Sequence, residues 1–290
     1  MKKIIFLMPV YNDWESLEIL LKEINEVILN INNFSFECIV VNDCSTVEKL
    51  RMVKPKSFDS LEILNMSSNR GHARCNASGL RYIQSNKSFD YIIVMDSDGE
   101  DRPVEIKDMI LKISQDPEVS VVAKRVKRSE GIIFKSLYSI HKLITHIFTG
   151  KKINFGNYSC LTKKDVETLC GKSSLWNSFS GSIKKHLFKL NEVDSTRGLR
   201  YLGLSKMSLF SLIIHSLSII AVFKYTVLLR SSFVFIGLFF ISGISNTLIL
   251  SIQILILIFN LIIIALSSRE DKKSLLASNK NILNVEKILH

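Results

Sequence analysis

Asp90–Glu105 reads DYIIVMDSDGEDRPVE, and its two halves have opposite chemistry. Tyr91 to Met95 is a short apolar run, partly β-branched, with the length of a buried strand. It stops at two carboxylates one residue apart, Asp96 and Asp98, with Glu100, Asp101 and Pro103 close behind. A strand that delivers carboxylates from its C-terminal end places them on the rim of an α/β sheet, where ligands bind. Carboxylate oxygens there suit a hard divalent cation that also holds substrate phosphates. Taken alone, the pattern is equally that of an acidic loop after a core strand, because D-x-D is short.

Three other runs give the turn its context. Lys3–Val10 reads as a strand ending in PVYND, and Phe36–Val41 as a second ending in NDCST. Leu61–Met66 is a weaker third, followed by SSNRGHARCNASGL, which opens a helix from His72 or Ala73. Between the first two, Trp14–Asn30 has helical periodicity, with Leu17, Leu20, Leu21, Ile24 and Ile28 on one face. Val119–Ala123 reads as a fifth strand leading to Arg125 and Arg128. Strands alternating with helices predict an α/β fold, a largely parallel sheet with helices on both faces. Strands one, two and four then finish in Asp-bearing turns on a single rim, which favours a nucleotide pocket over unrelated loops.

The chain of 290 residues is long enough for one core and an appendage. Its net charge of +11 invites a nucleic-acid reading. The basic residues, however, are scattered among apolar ones, and the last third is strongly hydrophobic. That combination fits an anionic membrane face, worth about 1 kcal/mol per nearby Lys or Arg, and predicts no nucleic-acid partner. Five cysteines form no C-x-x-C pair, which suggests reduced thiols. The N-terminal MKKIIFLMPVYND mimics a signal peptide, but its apolar run is too short and meets Pro9, so it reads as the first strand.

The four motifs PVYND, VVNDCST, SSNRGHARCNASGL and VMDSDGEDRPVE, in this order, resemble the family-2 inverting glycosyltransferases of GT-A fold. No G-x-G-x-x-G follows the first strand and no Walker A sequence is present. The resemblance implies a nucleotide-sugar donor, with Pro9, Tyr11 and Asp13 lining the base pocket and Asp43 accepting hydrogen bonds from base or ribose. Asn69 and Arg70 would join the nucleotide site, and Asn42 has no assigned role. Asp96 would face ribose and metal, while Asp98, with Glu100 nearby, would bind Mg2+ or Mn2+ bridging the diphosphate.

Further on, GIIFKSLYSIHKLITHIF reads as a helix whose His141 and His146 are surface or interface residues. NFGNYSCLTKKDV reads as a strand and a helix capped by Thr162. Arg197, Arg200, Gly203, Ser205 and Lys206 fit the R-x-x-R-x-x-G-x-S/T-K segment of one subgroup, the polyprenyl-phosphate glycosyltransferases. Dolichyl-phosphate mannose synthases and bacterial undecaprenyl-phosphate glucosyltransferases belong to that subgroup. Glu100–Pro103 matches its usual Q-x-P-P element only in the final proline.

Chemistry gives a separate argument for the acceptor. Transfer to a sugar hydroxyl needs a general base, and LWNSFSGSIKKHLF, where many family-2 enzymes carry it, has no acid. Glu192 or Asp194 could fold back to supply one. A phosphate monoester, with a second pKa near ~6, is already a dianionic nucleophile. It needs cations, which Arg125, Arg128, Arg197, Arg200 and Lys206 could supply. The residues implied in catalysis are therefore Asp96, Asp98, Arg125, Arg197 and Arg200.

Ser231–Ser268 contains no charged residue. As one helix it would run roughly 57 Å at about 1.5 Å per residue, against a hydrocarbon core of about 30 Å. Two spans fit, one from about Tyr225 and one over Leu248–Leu266, turning around Gly243, Ser245 and Asn246. Arg230 should snorkel toward headgroups. Lys224 and Arg230 at one end, and Arg269, Lys272 and Lys273 at the other, put both ends in the cytoplasm. Leu209–Phe223 reads as an interfacial helix, or alternatively as a third span. The tail after Asp271 is charged with some helical periodicity.

The expected organisation is a catalytic domain over 1–206, a juxtamembrane helix over 207–224, a hairpin over 225–268 and a cytoplasmic tail over 269–290. The expected function is a metal-dependent glycosyltransferase of the inner (plasma) membrane that moves a sugar onto a polyprenyl phosphate. A family-2 enzyme acting on a glycan hydroxyl is the alternative, and a homo-oligomer stays open.

Overall fold

The computed structural model describes residues 1–127, 132–203, 208–240, 243 and 245–289. Arg128, Ser205 and Lys206, three of the residues singled out above, lie outside the described residues. Among those described, eight strands form one mixed sheet in the order β7-β5-β6-β4-β1-β2-β3-β8. The central strand, β1 (Lys2–Val10), lies parallel to both β2 (Phe34–Asn42) and β4 (Tyr91–Val94), and β3 (Ser60–Met66) extends the parallel set beyond β2. Ile4 to Met8 have no exposed surface, as a strand covered on both faces requires. Alternation divides them: Ile5 and Leu7 face one core, while Ile4, Phe6 and Met8 face the other.

The expectation of a largely parallel sheet holds for β3-β2-β1-β4 and for the β5–β7 pair, and fails at β6 and β8. β6 (Phe155–Thr162) runs antiparallel to β4 and to β5 (Val121–Lys127), and β5 runs parallel to β7 (Asn191–Thr196). β8 (Ile282–Ile288) runs antiparallel to β3, with Ile282 beside Met66. The tail begins with a short helix, Lys272–Leu276, in line with its helical periodicity, and ends built into the sheet as β8. Most of β8 is exposed, so backbone pairing with the edge of β3, rather than an apolar face, holds it there.

One core takes α1 (Trp14–Ile28) and α3 (Ile106–Gln115); the other takes α2 (His72–Asn86), α5 (Lys163–Cys170) and α6 (Phe179–His186). Thr162 caps α5 through Asp165 N, as expected. Helix α2 lies so close to the sheet that a Cβ on Gly79 would sit 2.3 Å from Leu7 Cδ1 and 3.0 Å from Val41 Cγ2. Gly79→Ala is expected to cost about 1–3 kcal/mol by overpacking, read as a lowered thermal midpoint.

Helix α4 (Ile132–Thr149) and the apolar helices α7 (Leu209–Ala221), α8 (Lys224–Gly237) and α9 (Asn246–Ser267) stand together. The α7–α8 pair bends by 90°. Among the described residues α9 heads the one helical segment long and apolar enough to cross a membrane; α7 and α8 pass only as a bent pair. Ile219, Ile220, Val227, Ile263 and Leu266 belong to the same core as β1 and α2. The apolar stretch therefore leaves the domain and comes back to it.

Arg230 is exposed, and its guanidinium also turns back toward α4. Its Nη1 donates to Ile147 O at 3.0 Å, and its guanidinium packs against Gly150, where φ is +69°. The unpaired carbonyls at the end of α4 suit such a cation. Phe148 of α4 packs on Phe259 of α9, ring centroids 4.8 Å apart, completing the join.

Candidate functional site

Parallel pairing brings the ends of β1, β2 and β4 to one rim, and short polar side chains fix the turns there. Asn12 and Cys44 have φ of +52° and +58°, a left-handed backbone that Asn tolerates better than most residues. Asn12 Oδ1 accepts from Thr46 N at 2.8 Å and Val47 N at 3.1 Å, while Asn12 N donates to Ser45 Oγ at 2.9 Å. Asn42, left without a role by the sequence, accepts Ser45 N at 2.9 Å and donates to Asn65 Oδ1 at 2.8 Å. Asn65 in turn donates to Asn284 at 2.7 Å, so an asparagine ladder crosses β2, β3 and β8.

Asp43, expected to meet the base, is 4% exposed, and both its oxygens are engaged by backbone. Oδ1 accepts Arg70 N at 2.7 Å and Oδ2 accepts Gly71 N at 2.8 Å. It ties the loop before α2 to β2. Arg70 also donates to Asn281 Oδ1 at 3.1 Å, and Asn69 is exposed beside it. Pro9 offers its carbonyl to Ser97 Oγ at 2.8 Å, and Tyr11 stands exposed on the rim.

The acid turn after β4 is wound around its own backbone. Asp101 Oδ2 accepts Asp96 N at 2.9 Å, and Asp98 Oδ1 accepts Glu100 N at 3.0 Å. Asp96 Oδ1 faces His72 Nε2 at 2.9 Å and accepts Asn157 Nδ2 at 3.2 Å. Burial opposes the charge on Asp96, yet His72, then Arg125 and Arg197, and the Asn157 hydrogen bond hold its carboxyl below the usual range. Asp98 goes the other way: burial, with repulsion from Asp96 and Glu100, pushes it up to about 7 despite Arg200. Asp101 is raised by burial and by Asp96.

The segment after β7 lies across this turn as a strap. Thr196 N donates to Glu105 Oε1 at 2.8 Å, Gly198 N to Glu100 O at 2.8 Å and Tyr201 N to Asp98 O at 3.0 Å. Arg197 pairs with Glu100, and Arg200 bridges Asp13 and Asp98, reaching Asp98 Oδ2 at 2.5 Å. Tyr201 anchors the far end through its hydroxyl, 2.6 Å from Glu23 Oε2. The R-x-x-R arginines thus meet the acid turn, but as counter-ions to carboxylates and not as the open phosphate clamp expected. Arg125 folds over Gly156, where a Cβ would lie 2.3 Å from its Nη2. The expected metal set of Asp96, Asp98 and Glu100 is likewise altered. Among the described residues no three His, Cys, Asp or Glu side chains converge as a metal site; Arg200 pairs with Asp98 and Arg197 with Glu100.

Gly99 makes the strap possible. Its φ is +88°, and a Cβ there would sit 2.4 Å from the Tyr201 ring. Gly99→Ala is expected to lift Tyr201 off the turn and weaken nucleotide affinity, read by titration calorimetry, with backbone strain of about 1–3 kcal/mol. Glu192 and Asp194 do not fold back as a base. They extend from β7 beside Lys124, at 3.4 Å and 4.0 Å, largely in solvent.

Asn12, His72, Asn157 and Tyr201 escaped the sequence reading. Asn12-Asp13 carried a turn signal, and His72 opened a recognised helix start; nothing local marked Asn157 or Tyr201.

The model of glycosyl transferase family 2 matches residues 5–178, more than half of the chain. Curated relatives include undecaprenyl-phosphate 4-deoxy-4-formamido-L-arabinose transferases of Salmonella choleraesuis (strain SC-B67) and Salmonella paratyphi B. Each is 28% identical over 163 residues, 56% of this chain and 48% of the relative. The chain thus matches about half the length of those relatives. Among solved structures, glucosyl-3-phosphoglycerate synthase of Mycobacterium tuberculosis superposes with TM-score 0.54 at 14% identity, over 78% of this chain and 80% of that one. TarS 1-349 of S. aureus superposes with TM-score 0.50 at 15% identity, over 97% and 91%. These distant likenesses speak for the fold alone. The chain belongs to glycosyl transferase family 2, and its mixed α/β sheet is GT-A-like.

Proposed function

We propose that this enzyme transfers a sugar, with inversion, from a nucleoside-diphosphate sugar to a polyprenyl phosphate at the inner membrane. The observation that carries the reading is the return of the apolar segment. Residues of α7, α8 and α9 belong to the same core as β1 and α2, so a bilayer holding the apolar segment would lie against the catalytic domain and bring a lipid-borne acceptor to it. The curated relatives are named for undecaprenyl-phosphate acceptors, and the mycobacterial and staphylococcal structures contain UDP-glucose with Mn2+ and UDP-GlcNAc, respectively. Lysines and arginines at both ends of the hairpin favour a cytoplasmic catalytic domain, 1–206, with a multi-pass anchor over 225–268.

In the proposed reaction a lipid phosphate oxygen attacks the anomeric carbon. The bond from that carbon to the diphosphate oxygen breaks, and a nucleoside diphosphate leaves. The carboxylates of Asp96, Asp98 and Glu100 form an all-oxygen donor set, and the two guanidinium groups now on them mark where positive charge belongs. These residues would hold a divalent cation, Mg2+ or Mn2+, only once Arg200 and Arg197 leave Asp98 and Glu100; when bound it would offset charge on the departing diphosphate. His72 and Asn157 hold Asp96 in place for the ribose. Arg200 and Arg197, released from Asp98 and Glu100, would turn to phosphate oxygens, which their forked donors suit. Pro9, Tyr11 and Asp13 line the base side of the rim, with Asp43, Asn69 and Arg70 at its edge. No general base is required, in keeping with the positions of Glu192 and Asp194.

Cation binding needs Asp98 ionised, while its carboxyl is pushed up to about 7. Mn2+ affinity of the nucleotide-free enzyme is therefore expected to fall by up to about tenfold per unit as pH drops below 7, and to level above about pH 8. The sign for folding is the reverse. A carboxyl whose folded pKa is raised destabilises the metal-free protein as pH climbs from about 4 to about 7. Calorimetric titration with Mn2+ across that range checks the first expectation, and melting without metal checks the second.

The acceptor is tested by offering undecaprenyl phosphate and soluble oligosaccharides to the purified enzyme with a panel of nucleotide sugars. Product on the lipid alone supports the reading; product on a glycan hydroxyl alone contradicts it.

A further inference from the structure

A second charged site lies away from the acid turn, where α6, the 3-10 turn Ser173–Trp176 and the exit of α9 meet. A cavity of about 250 Å³ there is lined by Lys172, Lys185 and Lys272 together with Ser174, His186 and Glu270. That is room for a phosphate group and its hydration. None of these residues contributes to the strand rim or the strap.

Its charge is positive and weakly compensated. His186 is kept neutral: burial, then Lys185 and Lys172, push it down to about 4, and its Nε2 lies 3.0 Å from Ser174 Oγ. Glu270 is the one acidic lining residue, and its Oε1 is buried without a hydrogen-bond partner. Elsewhere, Lys3, Lys22, Lys49, Lys87, Lys124 and Lys189 each have a carboxylate within ion-pair distance. Lys172 and Lys272 have none among the described residues, and both are exposed.

The position of the cavity is as informative as its charge. Lys185 Nζ donates to Val222 O at 2.6 Å, at the break between α7 and α8. Glu270 and Lys272 directly follow α9. The lysines thus gather where the apolar helices end, with exposed Leu261 and Ile264 of α9 just before them.

We propose that this cavity binds one anionic phosphate group at the headgroup level of the membrane, as a site distinct from the transfer centre. Three lysines at that level, each worth about 1 kcal/mol toward anionic lipid, point to a phospholipid headgroup as its source. A soluble phosphate would use the same contacts. The site would fix the depth and tilt of the catalytic domain over the bilayer. The headgroup placement, the orienting role and the source of the phosphate rest on the membrane reading above; the anion site itself does not.

The test uses the full chain in mixed micelles of equimolar phosphatidylglycerol and phosphatidylcholine, with retained lipid counted by native mass spectrometry. Wild type is expected to retain phosphatidylglycerol preferentially. The double variant Lys172→Gln/Lys272→Gln should lose that preference by about tenfold or more, and Lys172→Arg/Lys272→Arg should keep it. A matching far-ultraviolet spectrum and melting curve establish that the glutamine variant is folded. A parallel calorimetric arm titrates inorganic phosphate. Saturable phosphate binding that the glutamine variant loses, without lipid preference, identifies a soluble occupant and upholds the site. Equal lipid retention by wild type and glutamine variant, with no phosphate binding, overturns it. Both arms read binding rather than turnover, so a failed acceptor assay leaves their outcome intact.

Discussion

Asp98→Asn is expected to lower kcat/KM by about 10²–10³-fold, the scale on which loss of a preorganised charge partner acts. The substitution keeps the shape of the side chain and one oxygen. It removes the charge that burial and Asp96 already make costly to hold. Because Asp98 Oδ1 accepts Glu100 N, the amide oxygen can preserve the turn, and the melting curve should move little. Asn at this position also relieves repulsion from Asp96 and Glu100, so the metal-free variant should be at least as stable as wild type. Steady-state transfer rates, paired with melting curves, separate this outcome from unfolding. Full activity in the folded variant would remove Asp98 from the mechanism.

Arg200→Gln is expected to move two observables in opposite directions. In the structure Arg200 spans Asp13 and Asp98, and in the proposed mechanism it gives up Asp98 to a cation. Without it, Mn2+ alone no longer competes with a guanidinium, and its affinity should rise several-fold at a pH above the Asp98 pKa. Transfer should still fall, by about 10²-fold, because a forked donor for phosphate oxygens is lost and a charge-assisted hydrogen bond carries about 1.5–3 kcal/mol. A purely structural ion pair would not raise metal affinity while lowering turnover. Calorimetry with Mn2+ and rates at saturating metal, measured on the same preparation, resolve the two effects.

The parts of the fold that could be read from the sequence share a cause. β1, β2 and β4 are apolar runs that stop abruptly at polar turns, and burial on both faces leaves them no alternation to obscure. Their common rim followed from parallel pairing. β8 was hidden because ILNVEKI buries almost none of its length; its strand conformation comes from the free edge of β3, which lies more than two hundred residues earlier. The contact of Arg230 with α4 was hidden for a similar reason. The end of α4 that receives its guanidinium is distant in sequence, and a lone arginine near an apolar helix reads as a snorkelling one.

The site shows the same division. Asp96, Asp98, Arg197 and Arg200 stood out by residue type and spacing, and the structure brings all four together. What spacing could not convey is that Arg200 neutralises Asp98 and Asp13, or that Asp43 spends both oxygens on Arg70 and Gly71 amides. Those pairings depend on how two loops close, and a carboxylate reads alike whether it faces a base, a metal or a backbone N–H. Asn157, which orients Asp96 from β6, lies within a strand whose other residues read only as core.

The most direct test of the account follows the bond that breaks. A nucleotide sugar carrying 18O in the oxygen between the anomeric carbon and the β-phosphate is supplied with undecaprenyl phosphate and purified enzyme. Mass spectrometry of both products is expected to find the label wholly in released nucleoside diphosphate. The lipid product should be an unlabelled sugar phosphodiester with the anomeric configuration inverted. Release of nucleoside monophosphate, label carried into the lipid, or a retained configuration would contradict attack at the anomeric carbon by a lipid phosphate held beside the acid turn.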